Sequence, residues 1–254
     1  MSRPGALADR VVLVTGGNSG IGLGIARACA DAGADVVVWG TSAGKNEAAA
    51  AALADTGARV LAQVCDVGDE HAVVTAFAAA VAEMGKVDCL VANAGLGASS
   101  PFVDMSLDEW RAVLRVNLDG AFLSFREAAR HMVARGEGGS LVGMSSISTI
   151  HGAPHLQHYA ASKHGMLALT RGLAVELARY RIRVNAMLPG WTRTPMNEPG
   201  RRSEKFVRNT TERTPVRRWA DPVDMGPAAV FLADPTYLFH TGDELVVDGG
   251  YTRY

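Results

Sequence analysis

The sequence is poor in cysteine, in long apolar runs and in any excess of charge. Its three cysteines, Cys29, Cys65 and Cys89, are widely separated and lie among apolar residues. They predict buried free thiols rather than disulfides or a metal site. No apolar run approaches the length of a bilayer span, and residues 1–10 lack the apolar core of a secretory signal. We therefore expect no membrane span and a cytoplasmic location.

The balance of charge excludes a second group of functions. The chain has 25 basic and 26 acidic residues, for a formal net charge of -1. This balance gives no electrostatic basis for binding nucleic acid or an anionic membrane as a whole.

What the chain does have is the composition of a globular protein. Apolar residues make up 48% of its 254 residues and charged residues 20%, which excludes disorder. Folds that mix helices and strands are commonly single domains at this length, and no low-complexity linker divides the sequence. We expect one domain over residues 1–254.

Short β-branched runs alternate with alanine-rich stretches of helical period. Several runs are apolar on both faces, as strands buried between two helical layers must be. The runs are Val11–Val14, Val36–Trp39, Arg59–Leu61, Val87–Val91, Ser140–Val142, Ile182–Val184 and Glu244–Val247. The alternation predicts an α/β fold, a doubly wound parallel sheet of about seven strands with helices on both faces.

Two long helices are predicted in the second half of the chain. Ser106 and Glu109 have the spacing of a capping box, which starts a helix that runs towards Gly136. A second helix is predicted from near His158 towards Tyr180, with apolar residues at steps of three or four.

A glycine-rich turn follows the first strand. Gly16, Gly20 and Gly22 lie between that strand and a helix. Glycines permit a tight turn and allow a pyrophosphate to approach the backbone amides at the helix N-terminus. Because strand, turn and helix occur in this order, the segment predicts phosphate binding rather than an ordinary loop.

Tyr159 and Lys163 are four residues apart on the second long helix, so their side chains share one face. A cation beside a phenol favours the phenolate and brings its pKa towards the range used in proton transfer. The alternative is a surface tyrosine near a solvated lysine, and the pair by itself does not decide between them.

Four motifs, taken in their order along the chain, favour the catalytic pair over the surface residues. Thr15 to Gly22, Asn93-Ala94-Gly95, the Tyr159/Lys163 pair and Pro189-Gly190 fall at the spacing of the short-chain dehydrogenase/reductase family. The chain resembles its single-domain branch of about 250 residues over nearly its whole length. The resemblance implies a Rossmann-type fold and an oxidoreductase that interconverts a secondary alcohol and a ketone with NAD(P)(H). Carbonyl reductases, 3-oxoacyl reductases and sugar or polyol dehydrogenases are of this type.

The resemblance implies a catalytic tetrad of Asn117, Ser146, Tyr159 and Lys163. Ser146, thirteen positions before the tyrosine, matches the family serine rather than the adjacent Ser145. It would hold the substrate oxygen, while Tyr159 exchanges a proton with that oxygen. Lys163 would lower the tyrosine pKa and bond the nicotinamide ribose, and Asn117 would hold a water of the proton relay.

The resemblance also implies a set of cofactor-binding residues. They are Gly16, Asn18, Ser19, Gly20, Ile21, Gly22, Thr41, Ser42, Asp66, Val67, Asn93, Ala94, Gly95, Tyr159, Lys163, Pro189, Gly190, Thr192 and Thr194. For Asp66, a turn-closing role is the alternative.

The end of the second strand departs from the usual markers of cofactor choice. NAD enzymes of the family usually place an Asp there, and NADP enzymes often an Arg just after it. Here the residues are Gly40 and Thr41. Without the carboxylate, a 2′-phosphate meets no repulsion, and Thr41, Ser42 and Lys45 could donate hydrogen bonds to it. We expect a preference for NADP(H).

Substrate contacts are expected from the loop before Tyr159 and from a lid near residues 191–220. The candidates are Ser148, His151, Gln157 and Trp191, and the alternative is that the loop histidines are exposed and contact no substrate. Three histidines in this loop, His151, His155 and His158, suggest a metal, but Pro154 breaks their spacing and we expect none. The lid is basic between residues 201 and 218 and is either a solvated flap or a contact for an anionic substrate.

Two other functions remain open on the sequence. A non-catalytic, cofactor-sensing protein would not need the whole tetrad, and an epimerase or dehydratase usually has a longer C-terminal substrate domain. As partners we expect a small alcohol or ketone and, from the resemblance, a homotetramer or a dimer. The helix from Ser106 to Arg135 is apolar beyond one narrow stripe, which is consistent with a second buried face.

Overall fold

The computed structural model describes residues 5–253. Seven parallel strands form one sheet in the order β3-β2-β1-β4-β5-β6-β7. The strands are β1 (Val11–Thr15), β2 (Asp35–Gly40), β3 (Val60–Val64), β4 (Cys89–Ala92), β5 (Gly139–Met144), β6 (Ile182–Pro189) and β7 (Glu244–Val247). The predicted doubly wound parallel sheet is confirmed.

Helices cover both faces of the sheet. They are α1 (Gly20–Asp31), α2 (Ala43–Leu53), α3 (Glu70–Met84), α4 (Leu107–Leu114), α5 (Gly120–Arg135), α6 (Gln157–Leu177), α7 (Glu198–Arg201), α8 (Glu204–Arg213) and α9 (Gly226–Ala233). Phe77, Phe125 and Met166 belong to the core on one face, whereas Ile25 and Leu232 belong to the core on the other. Within residues 5–253, no helix is long and apolar enough to cross a bilayer.

The first long helix differs from its prediction. Its capping box is present, because Ser106 accepts a hydrogen bond from the Glu109 amide and the Glu109 carboxylate accepts one from the Ser106 amide. The helix is then interrupted by a π-helical turn, Arg115–Asp119, between α4 and α5. The second long helix, α6, ends at Leu177 and continues only as a 3₁₀ turn to Tyr180.

The strand order places the functional edge of the sheet. The chain proceeds from β1 outward to β3 and then returns to put β4 on the other side of β1. The carboxyl ends of β1 and β4 therefore flank the point where the winding reverses, which is where open α/β sheets bind ligands. All three cysteines are free and buried, as predicted.

Candidate active site

The glycine-rich turn after β1 has a shape that only glycine permits. Gly16 and Gly20 have φ angles of +61° and +52°, in the left-handed region that side chains rarely adopt. A Cβ at Gly22 would lie 2.3 Å from the Gly16 carbonyl oxygen. The turn thus brings bare backbone to the N-terminus of α1, which suits the approach of a phosphate.

Asn93 fixes this turn from β4. Its Nδ2 donates to the carbonyl oxygens of Thr15, at 2.9 Å, and Gly16, at 3.2 Å. The Thr15 hydroxyl accepts hydrogen bonds from the amides of Asn93 and Ala94. A Cβ at Gly16 would lie 2.9 Å from the Ala94 Cα. The ends of β1 and β4 are locked together, and the structural role expected of Asn93 has a visible basis.

The segment after β6 meets the same turn. A Cβ at Gly20 would lie 3.3 Å from Thr194 Cγ2. Thr192 is buried and its hydroxyl donates to the Gly190 carbonyl, just after Pro189 ends the strand. The structure brings the expected phosphate turn and the expected Thr192 and Thr194 to one place. Backbone amides, hydroxyls and a side-chain-free cradle fit a dinucleotide pyrophosphate.

The two serines at the end of β5 have different partners. Ser145 is buried, and its hydroxyl donates to the Lys163 carbonyl at 3.0 Å. Ser146 Oγ accepts a hydrogen bond from the Ser148 amide at 3.1 Å, and its hydroxyl also interacts with the Tyr159 phenol and lowers the pKa of that phenol. Ser145 therefore anchors α6, while Ser146 keeps a hydroxyl beside the tyrosine.

Lys163 and Tyr159 face each other from α6, as their spacing predicts. Lys163 Nζ lies 5.4 Å from the centre of the Tyr159 ring and donates to the Met144 carbonyl at 2.7 Å. Lys163 is only 4% exposed, so the alternative of a solvated lysine is wrong.

Asn117 lies in the π-helical turn between α4 and α5 and is buried. Its Oδ1 accepts the Leu96 amide at 2.7 Å, and its Nδ2 donates to the Leu96 carbonyl and to Ser162 Oγ. A Cβ at Gly95 would lie 3.3 Å from Asn117 Oδ1 and 3.7 Å from Lys163 Nζ. The four tetrad residues thus come from three separate segments, because Tyr159 and Lys163 share α6, and they meet at the carboxyl edge of the sheet.

Burial changes the electrostatics that the sequence predicts. It raises the pKa of Tyr159 above its ordinary value, and the Ser146 hydroxyl opposes this rise. The same burial lowers the pKa of Lys163 to about 8. The expectation that Lys163 lowers the pKa of Tyr159 neglects the loss of solvent, which raises it in the structure.

Five buried polar atoms near the tetrad have no hydrogen-bond partner within residues 5–253. They are Ser148 Oγ, His151 Nε2, Gln157 Oε1, His158 Nε2 and Trp191 Nε1. All but His158 Nε2 belong to the residues expected to contact substrate. Tyr251 joins two of them, because its ring lies 5.6 Å from that of His151 and 6.3 Å from that of Trp191.

Four other aromatic or imidazole contacts had no sequence signal. Trp191 stacks on Trp219 at 5.3 Å, and Phe206 of α8 packs edge-on against both rings. His158 is fully buried, and its Nδ1 accepts the Tyr159 amide at 2.9 Å. Within the described chain, no group of three or more histidine, cysteine or acidic residues could hold a metal.

The expected adenosine contacts lie at the ends of β2 and β3. Asp66 closes a turn by accepting the Gly68 amide at 2.9 Å, and it also pairs with Arg115 at 3.0 Å. Val67 is buried against Gly120. Thr41 and Ser42 are exposed beyond the end of β2.

Comparisons with known proteins agree with this geometry. A family model described as enoyl-(acyl carrier protein) reductase matches residues 16–252. An L-rhamnose 1-dehydrogenase (NAD(P)(+)) from Azotobacter vinelandii is 37% identical over 248 residues, covering 96% of this chain and 97% of the relative.

Two solved structures superpose over nearly the whole chain. One is a short-chain type dehydrogenase/reductase from Mycobacterium marinum, with a TM-score of 0.92, 33% identity and coverage of 97% and 96% of the two chains. The other is a gluconate 5-dehydrogenase from Burkholderia cenocepacia in complex with NADP and tartrate, with a TM-score of 0.93, 36% identity and coverage of 98% and 97%. The motifs, the fold and these relatives agree, and the chain belongs to the short-chain dehydrogenase/reductase family.

Proposed function

We propose that this protein is an NADP(H)-preferring oxidoreductase that interconverts a secondary alcohol and a ketone on a sugar or sugar acid. It is an NAD(P)-dependent oxidoreductase of CH–OH groups, as its relatives are. This activity excludes the two alternatives left open by the sequence, a non-catalytic cofactor sensor and an epimerase or dehydratase. The sugar class rests on one observation, the unpartnered buried polar atoms of Ser148, His151, Gln157 and Trp191.

The tetrad residues handle the proton. A bound nicotinamide supplies or accepts the hydride. Ser146 holds the substrate oxygen, and Tyr159 gives that oxygen a proton in reduction or takes one in oxidation. Lys163 Nζ lies 5.4 Å from the centre of the Tyr159 ring. Lys163 would hydrogen-bond the nicotinamide ribose, and Asn117 would hold a relay water.

The unpartnered atoms offer the mixture of donors and acceptors that hydroxyl groups need. His151 Nδ1 lies 3.1 Å from the Gly152 carbonyl, which can only accept, so Nδ1 carries the proton and Nε2 is left as an acceptor in the neutral ring. Gln157 Oε1 accepts, Trp191 Nε1 donates and Ser148 Oγ does both. Leaving such groups unpaired is costly, so an apolar substrate would be a poor fit and a polyhydroxylated one a good fit.

We place the substrate lid at residues 191–220, within one domain over residues 1–254. Arg213 connects the basic part of the lid to the expected substrate residues. Its guanidinium lies 4.4 Å above the Tyr251 ring, and that ring contacts His151 and Trp191. Arg218 is instead paired with Asp224. Arg213 is our candidate for binding the carboxylate of a sugar acid.

The first experiment compares substrate classes. Initial rates are measured with aldoses, ketoaldonates and apolar ketones or alcohols, each with NADP(H) and NAD(H). We expect kcat/KM at least about tenfold higher for the polyhydroxylated compounds. Trp191→Phe keeps a ring but removes the donor, which should lower kcat/KM for sugars by about fivefold to tenfold and leave an apolar ketone unaffected. A preference for apolar ketones would contradict the sugar assignment.

The second experiment tests the carboxylate. A ketoaldonate and a neutral ketose of matched length are compared in the wild-type protein and in Arg213→Gln. We expect Arg213→Gln to reduce kcat/KM for the carboxylated compound by at least about tenfold and to leave the neutral one unchanged. Equal effects on both compounds would remove Arg213 from substrate binding.

We further propose a cytoplasmic homotetramer. The family resemblance supports this assembly, and so do apolar side chains that the single chain leaves exposed, among them Phe102, Val103, Val175, Leu238 and Phe239.

A further inference from the structure

The last residue of β2, Gly40, is enclosed by two asparagine side chains. A Cβ at this position would lie 2.0 Å from Asn18 Nδ2 and 2.6 Å from Asn46 Oδ1. Asn18 comes from the glycine-rich turn, whereas Asn46 comes from the first part of α2. The space into which a side chain at position 40 would extend is therefore already filled.

The orientation of this asparagine pair (Asn18 and Asn46) is fixed by carbonyl groups. Asn46 is 3% exposed, and its Nδ2 donates to the carbonyl oxygens of Gly40, at 3.0 Å, and Gln63, at 2.9 Å. Because those oxygens can only accept, Asn46 Oδ1 must face Asn18, whose Nδ2 donates to it at 2.7 Å. Asn46 cannot turn away without breaking two bonds to the sheet edge.

We infer that the asparagine pair determines cofactor selectivity by occupying the position of a ribose-binding carboxylate. An acid at the end of β2 hydrogen-bonds the ribose 2′-hydroxyl of NAD. In this chain the side chain of such an acid would collide with Asn18 Nδ2. It would also lie against the side-chain oxygen of Asn46, Oδ1, which is a hydrogen-bond acceptor and would repel a carboxylate. The obstacle to NAD selectivity is thus the pair and not only the glycine.

The surroundings of the pair agree with this role. Thr41, Ser42 and Lys45 are exposed just beyond Gly40, and their hydroxyl and ammonium groups suit a 2′-phosphate. Asn46 belongs to α2 and lies outside both the glycine-rich turn and the end of β2. The asparagine pair lies on the adenosine side of the site, so its test does not depend on the substrate proposed above.

The test is equilibrium binding of NAD⁺ and NADP⁺ by calorimetry, without substrate. Gly40→Asp is made in the wild-type chain and in a background that carries Asn18→Ala and Asn46→Ala. In the wild-type chain, we expect Gly40→Asp to weaken both cofactors and to bring no gain for NAD⁺. In the double-alanine background, the same change should tighten NAD⁺ by at least about fivefold. A gain for NAD⁺ of equal size in both backgrounds would overturn the inference.

Thermal stability provides a second measurement if the variants no longer bind either cofactor. The melting temperature of Gly40→Ala, which adds only the Cβ, is compared in the same two backgrounds. We expect a clear fall in the wild-type chain and a fall of less than half that size once both asparagines are alanine. Equal falls would show that the asparagine pair does not fill the space beside position 40.

Discussion

Solvent exclusion sets the starting state of the catalytic pair at the scale of single residues. Burial raises the pKa of Tyr159 and lowers that of Lys163 to about 8, so each group is pushed towards its neutral form. Because the ammonium then has the lower pKa of the two, Lys163 loses its proton before the Tyr159 phenol does. The i, i+4 spacing brings them together, but it contains no information on the solvent they lose.

Tyr159→Phe should separate chemistry from binding. The change removes the hydroxyl that exchanges the proton and keeps the ring that packs in the cleft. We expect kcat to fall by at least about 10²–10³-fold, with the Kd for NADP⁺ within about twofold of wild type. Steady-state rates and calorimetry measure the two quantities. Substantial turnover on a true substrate would refute the role of Tyr159.

The pH dependence should report the pair. Oxidation needs a base, so kcat/KM should rise with pH around an apparent pKa near 8, where the pair loses its first proton. Reduction needs the proton and should fall over the same range. In Lys163→Met, the phenol of Tyr159 titrates without the lysine and keeps its raised pKa. The apparent pKa in the pH profile of kcat/KM for oxidation should therefore increase by at least about one unit. An unshifted profile in Lys163→Met would contradict this coupling.

Local irregularity positions the site at the scale of secondary-structure elements. The π-helical turn, Arg115–Asp119, widens the helix where Asn117 must reach Leu96 and Ser162. Such turns are often found at functional sites. Here the widened turn places the Asn117 amide against Gly95, which Lys163 Nζ also approaches.

Asn117→Ala should damage both stability and catalysis. The change leaves the Leu96 amide, whose hydrogen bond to Asn117 is partly buried, without its acceptor, which should cost about 1–3 kcal/mol in the free energy of unfolding. A matched control is Asn185→Ala in β6. Asn185 is also buried and bonds to His240 and Asp243 at the opposite edge of the sheet.

The two asparagine variants should differ in turnover. Denaturant unfolding should show similar losses of stability, but only Asn117→Ala should reduce kcat, by at least about tenfold. Equal kcat values in the two variants would assign Asn117 a structural role alone.

The elements also show what sequence can predict. The capping box marks the start of α4, and β-branched runs mark every strand, because these signals are local. The π turn leaves no such mark, since it depends on the partners that Asn117 finds in other segments. In the same way, the motifs identify Tyr159 and Lys163, whereas the enclosure of Gly40 by Asn46 exists only once β2, α2 and the glycine-rich turn are folded together.

Exposed apolar surface is the main feature at the scale of the whole molecule. We take Val175 of α6, which is 84% exposed, together with the exposed Leu238 and Phe239 as one candidate patch. A Cβ at Gly242 would lie 3.5 Å from Ala174 Cβ, so this loop and α6 are neighbours. A second patch contains Phe102 and the 90% exposed Val103. Scattered apolar residues need no explanation, but clustered ones of this size usually mark an interface.

Two separate apolar patches on one chain provide two different subunit contacts. If each patch pairs with its own copy around a two-fold axis, the two axes together generate a tetramer, and the loss of one patch leaves dimers. Phe239→Glu in the first patch and Val103→Glu in the second should each reduce the mass in solution from four chains to two, and the double variant should be monomeric. Val74→Glu, at an exposed apolar residue of α3, is the control and should remain tetrameric. Multi-angle light scattering measures these masses directly. A monomeric wild-type protein, or a tetramer that survives both substitutions, would show that these patches do not hold the assembly together.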